Sequence, residues 1–477
     1  MSTDRSAAHA TLERFALPAL LALAFAVRVR EALRVPLWFD ELYTLAAVSR
    51  PWADVMRVVR ADVHPPLHFL YMHFWRLVGT GDLAVRASSL LLTLAVLGVT
   101  YALARELFGR GAALLALALV AVHPWHVYES QEARSYPMLW LWLALSWRSA
   151  WRWCEDGRRG DAIVFVLASA LALWTHYLAG VLIAVQAAWG VTRLARTPRR
   201  LAAWVGLHAA VALLFAPLLP LMAVQFRRVE TQHWLKPPRL AQLADTLRRT
   251  AYGSTKVLVP MLLLALWPFA DPRARRASWF AFAIGPLALL VCWVLGTRGI
   301  RVFAFKYMLF AVPPVMALVA AGVARLPGRV TRWAVAAVLV ASGAWALAMQ
   351  PPYAEAVSWR SVRARLGDRV RAGDVIFTAD SHAFLFTSHD EPQARQRLLP
   401  MAQVIPYFEG RAVLPDSAFA DASELREAAA AHRRWWAVAW GRGGVNDRAF
   451  SACADSFADA RPDTCGLAHV WSGVRAR

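Results

Sequence analysis

The sequence predicts an α-helical polytopic membrane protein with a small C-terminal α/β extracytoplasmic domain, and three observations support this prediction. Of its 477 residues, 58% are hydrophobic, including 23 tryptophans. Apolar runs with the length of membrane helices recur up to residue 349, separated by loops rich in arginine. From residue 350 the composition becomes polar. A chain this apolar needs lipid to cover its surface, which excludes a soluble multidomain protein.

The apolar runs predict about eleven transmembrane helices. Several runs are shorter than the roughly 20 residues that a full span requires, so some helices are expected to stop at a cavity inside the bilayer. The runs are residues 15–34, 84–104, 111–126, 136–151, 162–176, 178–192, 201–224, 256–270, 278–296, 303–324 and 331–349.

The charge distribution predicts the topology. A net charge of +21 would indicate a nucleic-acid partner in a soluble protein. Here the arginines cluster in alternate short loops, such as residues 193–200 and 325–332, which the positive-inside rule assigns to the cytoplasm. We therefore expect a multi-pass protein of a bacterial-type cytoplasmic membrane, with its amino terminus inside, its C-terminal domain outside and no nucleic-acid partner.

The first run has an alternative interpretation as a cleavable signal, because Ala24-Phe25-Ala26 follows a short apolar region. Arg28 and Arg30 follow at once, and cleavage would remove the helix that carries the acidic motif described next. The sequence therefore favours a retained membrane helix.

A large first outer loop, residues 36–83, contains the adjacent acids Asp40 and Glu41 between aromatic residues. Acidic side chains beside a membrane helix are energetically unfavourable, so their presence there indicates a functional role. We predict that Asp40 is a catalytic base with Glu41 beside it, and the alternative is a solvated acidic loop. After the paired prolines that follow His64, residues 67–77 are predicted to form an aromatic helix on the membrane surface rather than a span.

Polar residues at the outer ends of later runs complete the candidate site. A second outer loop, residues 123–137, lies between short runs and concentrates acids and an arginine. Cations on the outer side break the positive-inside pattern, so we expect an anionic ligand there; the alternative is that they snorkel to lipid headgroups. The candidate substrate- or phosphate-binding residues are His64, Glu132, Arg134, Tyr136, His176, Tyr177, Arg298, Arg301, Lys306 and Tyr307.

Metal and disulfide chemistry are left open by the sequence. No cofactor is required, although Asp40, Glu41, His64 and Glu132 include oxygen ligands that would suit a divalent cation. His64 also lies four residues before His68, a spacing that suits metal ligands. The alternative is that these histidines, at the membrane interface, only pack or hydrogen-bond. Cys453 and Cys465 both fall in the segment placed outside, where a disulfide is permitted, and two free thiols are the alternative.

The C-terminal residues predict a separate soluble domain, residues 350–477, after a membrane module of residues 1–349. Short apolar stretches indicate buried strands, and amphipathic stretches indicate helices. The strands are predicted at 374–378 and 435–440, and the helices at 355–371 and 421–433.

An acid together with a group of outer cations suits the transfer of a group from a phosphate. Asp40 would accept the proton of an acceptor hydroxyl as it attacks. Arg134, Arg301 and Lys306 would neutralise the departing phosphate as its charge develops. A phosphate held near the bilayer indicates a lipid-linked donor.

Four sequence motifs resemble those of a known family. They are similar to motifs of the GT-C superfamily of membrane glycosyltransferases, in the branch of protein O-mannosyltransferases and lipid A aminoarabinose transferases, often described as dolichyl-phosphate-mannose-protein mannosyltransferase-like. The resemblance covers roughly the first 350 residues. The motifs are LWFDELYT (37–44), HPPLHFLYMHFW (64–75), SQEARSYP (130–137) and FKYMLFAVPP (305–314).

The resemblance implies a GT-C-type fold and an inverting transfer of one sugar from a polyprenyl-phosphate carrier on the outer face of the membrane. The acceptor would be a glycolipid, a cell-envelope glycan or a protein. By this resemblance Asp40 matches the catalytic acid of the family, Glu41 its neighbour and Arg134 the second-loop arginine. Lys306-Tyr307 stands where relatives often have Arg-Tyr.

Two other functions remain compatible with the residues. Intramembrane charges and short helices also occur in transporters and lipid flippases, although the inverted repeats typical of transporters are not evident in the sequence. A ligase that uses a diphosphate-linked oligosaccharide is the other alternative, and the abundance of outer arginines would favour it.

Overall fold

A computed structural model describes residues 2–232, 235–351, 354–399, 405, 410–431, 434–440, 450, 463–465 and 467–472. Most of these residues are helical. The α-helices, numbered in chain order, are α1 (Ser2–Ala32), α2 (Phe39–Val48), α3 (Trp52–Ala61), α4 (Leu67–Trp75), α5 (Asp82–Phe108), α6 (Arg110–Ala121), α7 (Pro124–Gln131), α8 (Tyr136–Asp156), α9 (Arg159–Thr175), α10 (Ala179–Leu194), α11 (Pro198–Phe215), α12 (Leu219–Gln232), α13 (Leu240–Thr250), α14 (Thr255–Leu266), α15 (Arg275–Phe282), α16 (Ala288–Thr297), α17 (Val312–Val323), α18 (Arg329–Met349), α19 (Ala354–Leu366), α20 (Ser381–Asp390) and α21 (Ala422–Ala430).

The strands are confined to the C-terminal part of the chain. They are β1 (Val375–Thr378), β2 (Arg395–Leu398), β3 (Trp435–Trp440), β4 (Asp463–Cys465) and β5 (Ala468–Ser472).

The chain divides into two compact units. The first consists of Met1–Ala32, Val63–His68 and Arg86–Gln350, and the second consists of Leu33–Asp62, Phe69–Val85 and Pro351–Arg477. Most of the predicted first outer loop therefore folds with the residues of the predicted outer domain.

The first unit contains the long apolar helices. Each of the eleven predicted apolar runs overlaps at least one observed helix. By length and composition, five described helical segments could cross a membrane, and seven could if each of two sharply bent helix pairs forms one span. The predicted class, an α-helical polytopic protein, is confirmed, whereas the count of eleven spans is not.

One of the bent pairs lies at the second predicted outer loop. The axes of α6 and α7 differ by 67° across a break at Val122 and His123. The end of α6 keeps a few backbone bonds, including the one from the N–H of His123 to the carbonyl of Val120 at 3.3 Å, but a turn this sharp interrupts the regular helical pairing of its last carbonyls. Arg28 of α1, which is 1% exposed, donates hydrogen bonds to the carbonyls of Val120 (3.4 Å) and Ala121 (3.3 Å). A buried charge from α1 therefore caps the end of α6.

Close helix packing elsewhere in this unit depends on a small residue. Gly322 of α17 faces the backbone of Leu264 in α14, and any Cβ at position 322 would collide with the Leu264 carbonyl. Small residues allow helix backbones in a membrane to approach this closely. Glycine at this position therefore permits the packing of α14 against α17.

The second unit contains a five-stranded sheet with the strand order β2-β1-β3-β5-β4. Strand β1 pairs in parallel with β2 and β3, whereas β5 pairs antiparallel with β3 and β4. Phe377, Trp435 and Trp471 are buried in the core of this sheet. The predicted strands at 374–378 and 435–440 are confirmed as β1 and β3, and the predicted helices correspond to α19 and α21.

Residues 36–83, which the sequence predicts as a large loop, are mainly helical. They contain α2, α3 and α4, and α4 confirms a helix after the paired prolines. The acidic motif is not an irregular loop at the end of a span, since Asp40 and Glu41 form the first turn of α2. Acids there are favourable because the N-terminal end of a helix carries partial positive charge.

Candidate functional site

The two acids of the motif have different environments within α2. Glu41 is fully buried, and its Oε2 accepts a hydrogen bond from the backbone N–H of Trp38 at 3.2 Å. This bond caps the helix in the manner of a capping box. Asp40 is only half-buried, and its backbone carbonyl accepts a bond from the Thr44 hydroxyl at 2.9 Å. Asp40 therefore has the more accessible carboxylate, while Glu41 stabilises the turn that presents it.

A second group of candidate residues converges in the first unit, and we call it the phosphate cluster. Its members lie at the ends of helices: before α4, at the turn between α7 and α8, just after α9, and in the 3-10 helix Phe305–Ala311. Helix ends expose backbone and side-chain donors, which makes them suitable places to bind anions. The phosphate cluster consists of His64, Arg134, Tyr136, His176, Lys306 and Tyr307.

The rings of the phosphate cluster surround His176. Its imidazole centre lies 5.5 Å from that of His64, 6.1 Å from the Tyr136 ring and 5.4 Å from the Tyr307 ring. The two tyrosine rings are themselves 5.8 Å apart. These separations are typical of tilted and edge-to-face aromatic pairs, which hold their members in fixed orientations.

The hydrogen bonding of His176 assigns its tautomer. Its Nδ1 accepts a bond from the backbone N–H of Leu178 at 3.1 Å, so Nε2 carries the proton when the ring is neutral. Nε2 is buried and has no hydrogen-bond partner among the described residues. A buried N–H group without an acceptor is costly, so this donor is suited to a ligand oxygen.

Two cations act on the same region. The Nζ atom of Lys306 lies 5.8 Å from the centre of the Tyr136 ring, and the charges of Lys306 and Arg134 both act on His176. Arg134 is 7% exposed, and its position directly before α8 follows from the tight turn in which its N–H donates to the Glu132 carbonyl at 2.7 Å. Two positive charges therefore lie close to the same histidine, one on a buried side chain and one on a partly buried side chain.

His68, one helical turn after His64, is 4% exposed. Burial, followed by the positive charges of Arg134 and His64, lowers the pKa of His68 to about 3. His68 is therefore neutral at physiological pH, and it contributes packing rather than charge to this part of the unit.

Tyr177 is placed beside the cluster by a hydrogen-bond chain. Its hydroxyl donates to Gln225 Oε1 at 2.6 Å, and Gln225 Nε2 donates to the carbonyl of His64 at 3.0 Å. Gln225 is fully buried in α12. These two hydrogen bonds fix the backbone of His64, so Tyr177 and Gln225 help to hold this member of the phosphate cluster in place.

The other predicted cations are used differently. Arg301 Nη1 donates to the carbonyl of Leu235 at 2.6 Å, which ties the loop after α16 to the segment before α13. Arg298 is exposed at the end of α16. Glu132 is 3% exposed and ends α7. Binding roles for these three residues remain predictions. None of them takes part in the contacts described above for the phosphate cluster.

Two arginines, Arg28 and Arg249, were not among the candidate site residues but make extensive internal contacts. Arg28 has the carbonyl bonds described above, and its Nε donates to Ser130 Oγ at 2.9 Å. Arg249 lies 4.3 Å from the Trp125 ring centre and 4.6 Å from that of Phe305, and it pairs with Asp245 at 2.6 Å. Arg249 therefore has both aromatic and acidic partners within the protein.

Predictions about metal and disulfide chemistry remain open. In the part of the chain that the structure describes, no group of three or more His, Cys, Asp or Glu side chains is arranged to hold a metal ion. Cys465 is buried in β4, whereas Cys453 lies outside the described residues, so their pairing stays a prediction.

The fold of this chain is similar to that of ArnT, and part of its sequence matches a mannosyltransferase family model, which supports the resemblance predicted from the motifs. Residues 63–221 match the family model described as dolichyl-phosphate-mannose-protein mannosyltransferase. The sequence matches none of the curated proteins with which it was compared.

Two solved structures of one protein have a fold similar to that of this chain. The chain is similar to ArnT from Cupriavidus metallidurans bound to undecaprenyl phosphate, with 14% identity, a TM-score of 0.66 and coverage of 96% of this chain and 98% of ArnT. The apo form of that ArnT gives the same values. An oligosaccharyltransferase from Archaeoglobus fulgidus, solved with zinc and sulfate, has 12% identity, a TM-score of 0.46 and coverage of 91% of this chain and 69% of that protein.

Proposed function

We propose that this protein is a membrane glycosyltransferase that moves a single sugar from a polyprenyl-phosphate donor to a hydroxyl group of an acceptor. The acceptor class is a glycolipid, a cell-envelope glycan or a protein. The observation that carries the proposal is the convergence of Lys306 and the buried N–H of His176 on one aromatic cluster. The match to a mannosyltransferase family model and the ArnT-like fold support it.

The phosphate cluster is proposed to bind the donor phosphate. Lys306 and Arg134 supply positive charge, and His176 Nε2 supplies a directed hydrogen bond. Charge-assisted hydrogen bonds of this type are about twice as strong as neutral ones. Because negative charge on the phosphate increases as the sugar leaves, these groups stabilise the transition state more than the ground state. The ArnT structure contains undecaprenyl phosphate, which supports a polyprenyl-phosphate ligand here.

The transfer step is proposed to invert the anomeric carbon. The acceptor hydroxyl loses its proton to the Asp40 carboxylate while its oxygen forms a bond to the anomeric carbon. The bond between that carbon and the phosphate oxygen breaks, and its electron pair stays with the polyprenyl phosphate. A half-buried carboxylate at the start of a rigid helix is suited to the role of base. Glu41 would act on this step by holding the turn.

The membrane arrangement is part of the proposal. We infer that the amino terminus is cytoplasmic and that α2 and the C-terminal domain are outside, because the arginine-rich loops mark the inner side. The catalytic module would comprise residues 1–349, and residues 350–477 would form the outer domain. Arg298 and Arg301, on the proposed outer side, are proposed to bind the donor, and the alternative is that they contact lipid headgroups.

The proposal is tested by incubating membranes that contain the protein with a panel of polyprenyl-phosphate sugars, each labelled in the sugar. We expect one label to move covalently to an acceptor, with release of polyprenyl phosphate in equal amount. A parallel reaction with chelator reports any need for a divalent metal. Translocation of the labelled lipid without covalent transfer would instead identify a flippase, and activity only with diphosphate-linked oligosaccharide would identify a ligase.

A further inference from the structure

The residue directly before Asp40 stacks on a side chain of the C-terminal domain. Phe39 begins α2, and its ring lies 3.9 Å from the imidazole of His382, with 9° between the ring planes. Phe39 is 6% exposed. Such a nearly parallel pair fixes both the position and the tilt of the Phe39 ring, because sliding or rotating either ring breaks the contact.

His382 is itself rigidly placed within its domain. It is the second residue of α20, whose N-terminal cap is Asp380. Asp380 Oδ1 accepts the N–H of Ala383 at 2.9 Å, and Oδ2 accepts the N–H of Trp440 in β3, also at 2.9 Å. The start of α20 is therefore bonded to the central strand of the sheet, which fixes the backbone that carries His382.

Further contacts hold α2 in the same unit. Arg50, two residues after the end of α2, donates to the carbonyl of Val413 at 2.6 Å. Gly410, with φ +83°, lies so near Phe39 that a Cβ there would be 3.3 Å from the Phe39 ring. The C-terminal part of the chain thus contacts the first residue of α2 and also holds the residues that follow its end.

We propose that His382 is a positioning residue for the transfer reaction. Its ring fixes Phe39, and Phe39 fixes the first turn of α2, which carries the Asp40 carboxylate. The C-terminal domain would then act on the chemical step and not only on the choice of acceptor. This inference rests on the proposed function, in which Asp40 is the base. Small displacements of a catalytic group reduce rates steeply, by about 100-fold for roughly 1 Å.

The test compares His382→Ala with His382→Phe in the full-length protein in membranes. His382→Ala removes the stack, so we expect kcat to fall about tenfold, since a partial misplacement costs less than a full one. KM for the lipid donor should stay constant, because the phosphate cluster is unchanged. His382→Phe restores a stacking ring and should recover most of kcat. The matched control is His469→Ala, which removes an imidazole from β5 of the same sheet. Its kcat should equal that of the wild type.

A second measurement reports the stack without activity. 4-Fluorophenylalanine at position 39 gives a 19F resonance that should shift on His382→Ala and stay near its original position in His382→Phe. If His382→Ala is not recovered in folded form, Phe39→Leu removes the stack from the other side and should give the same loss of kcat.

Unchanged kcat in His382→Ala, or equal loss in the alanine and phenylalanine variants, would overturn the positioning role. So would a 19F resonance that does not move. Failure of the proposed function is distinguishable, because the wild-type protein would then release no polyprenyl phosphate with any donor of the panel while the 19F result would be unaffected.

Discussion

The imidazole of His176 faces the phenol ring of Tyr307 at 5.4 Å, with 65° between the planes. The two residues follow α9 and precede α17, so the pair joins helix ends that are distant in sequence. Their neighbours include the charges of Lys306 and Arg134. We therefore expect Lys306 and His176 both to contribute to binding of the donor.

Replacing Lys306 by Met should weaken donor binding and slow transfer. Loss of one charge-assisted bond to phosphate costs about 1.5–3 kcal/mol, which corresponds to roughly 10- to 150-fold in kcat/KM. Lys306→Arg keeps the charge and should retain most of the activity. The measurement is kcat/KM for the labelled donor in membranes. Equal activity of the methionine and arginine variants would remove Lys306 from the phosphate-binding role.

Replacing His176 by Phe keeps the ring but removes the Nε2–H donor. We expect KM for the donor to rise roughly 10- to 150-fold, because a hydrogen bond to a charged group is worth about 1.5–3 kcal/mol. The stability of the protein should fall by about 1 kcal/mol, because the aromatic contacts remain but the N–H of Leu178 loses its acceptor Nδ1. His208→Phe in α11 is the matched control and should leave KM unchanged. A donor KM equal to wild type in His176→Phe would argue against a directed hydrogen bond.

Replacing Arg28 by Met should destabilise the membrane unit. The change removes the Arg28 donor from the Val120 and Ala121 carbonyls, leaving Val120 with only the N–H of His123 at 3.3 Å, and it removes the bond to Ser130 Oγ. The expected loss is about 3 kcal/mol, measured as thermal unfolding in detergent. Arg30→Met is the control, since Arg30 is largely exposed in its pair with Glu31. Similar unfolding temperatures for the two variants would contradict the capping role of Arg28.

His68 should make the stability depend on pH. Burial lowers its folded pKa to about 3, below the unfolded value near 6.5, so the unfolded state binds more protons between these values. Stability is therefore fully present above about pH 6.5 and is lost as the pH falls below it. His68→Asn should show a smaller decrease in unfolding temperature between pH 7.5 and 5. Parallel pH curves for the two proteins would show that His68 is not the group responsible.

Much of the fold was predictable because membrane helices have a strong sequence signal. The apolar runs located the helices, and short continuous apolar stretches located β1 and β3. The bend between α6 and α7 was not predictable, because its main support is Arg28, about 90 residues earlier in the chain. Residue patterns report local periodicity and carry no information on which distant side chain caps a helix end.

The candidate site was partly predictable from the charge of its residues and from their positions at the ends of apolar runs. His64, Arg134, Tyr136, His176, Lys306 and Tyr307 were proposed from charge and position, and the structure brings them together. The sequence did not separate the roles of Asp40 and Glu41, because the capping bond of Glu41 appears only once α2 is known to begin at Phe39. Nor did it indicate that His382 would stack on Phe39, since that contact spans more than 340 residues.

The central claim is that Asp40 accepts the proton of the acceptor, and one measurement tests it most directly. Polyprenyl phosphate release is measured in membranes for wild type and Asp40→Asn, with Asp54→Asn in α3 as the control acid. The account predicts a fall of about 10²- to 10⁴-fold for Asp40→Asn, the usual contribution of a general base, and wild-type turnover for the control. Undiminished release by Asp40→Asn would contradict the account.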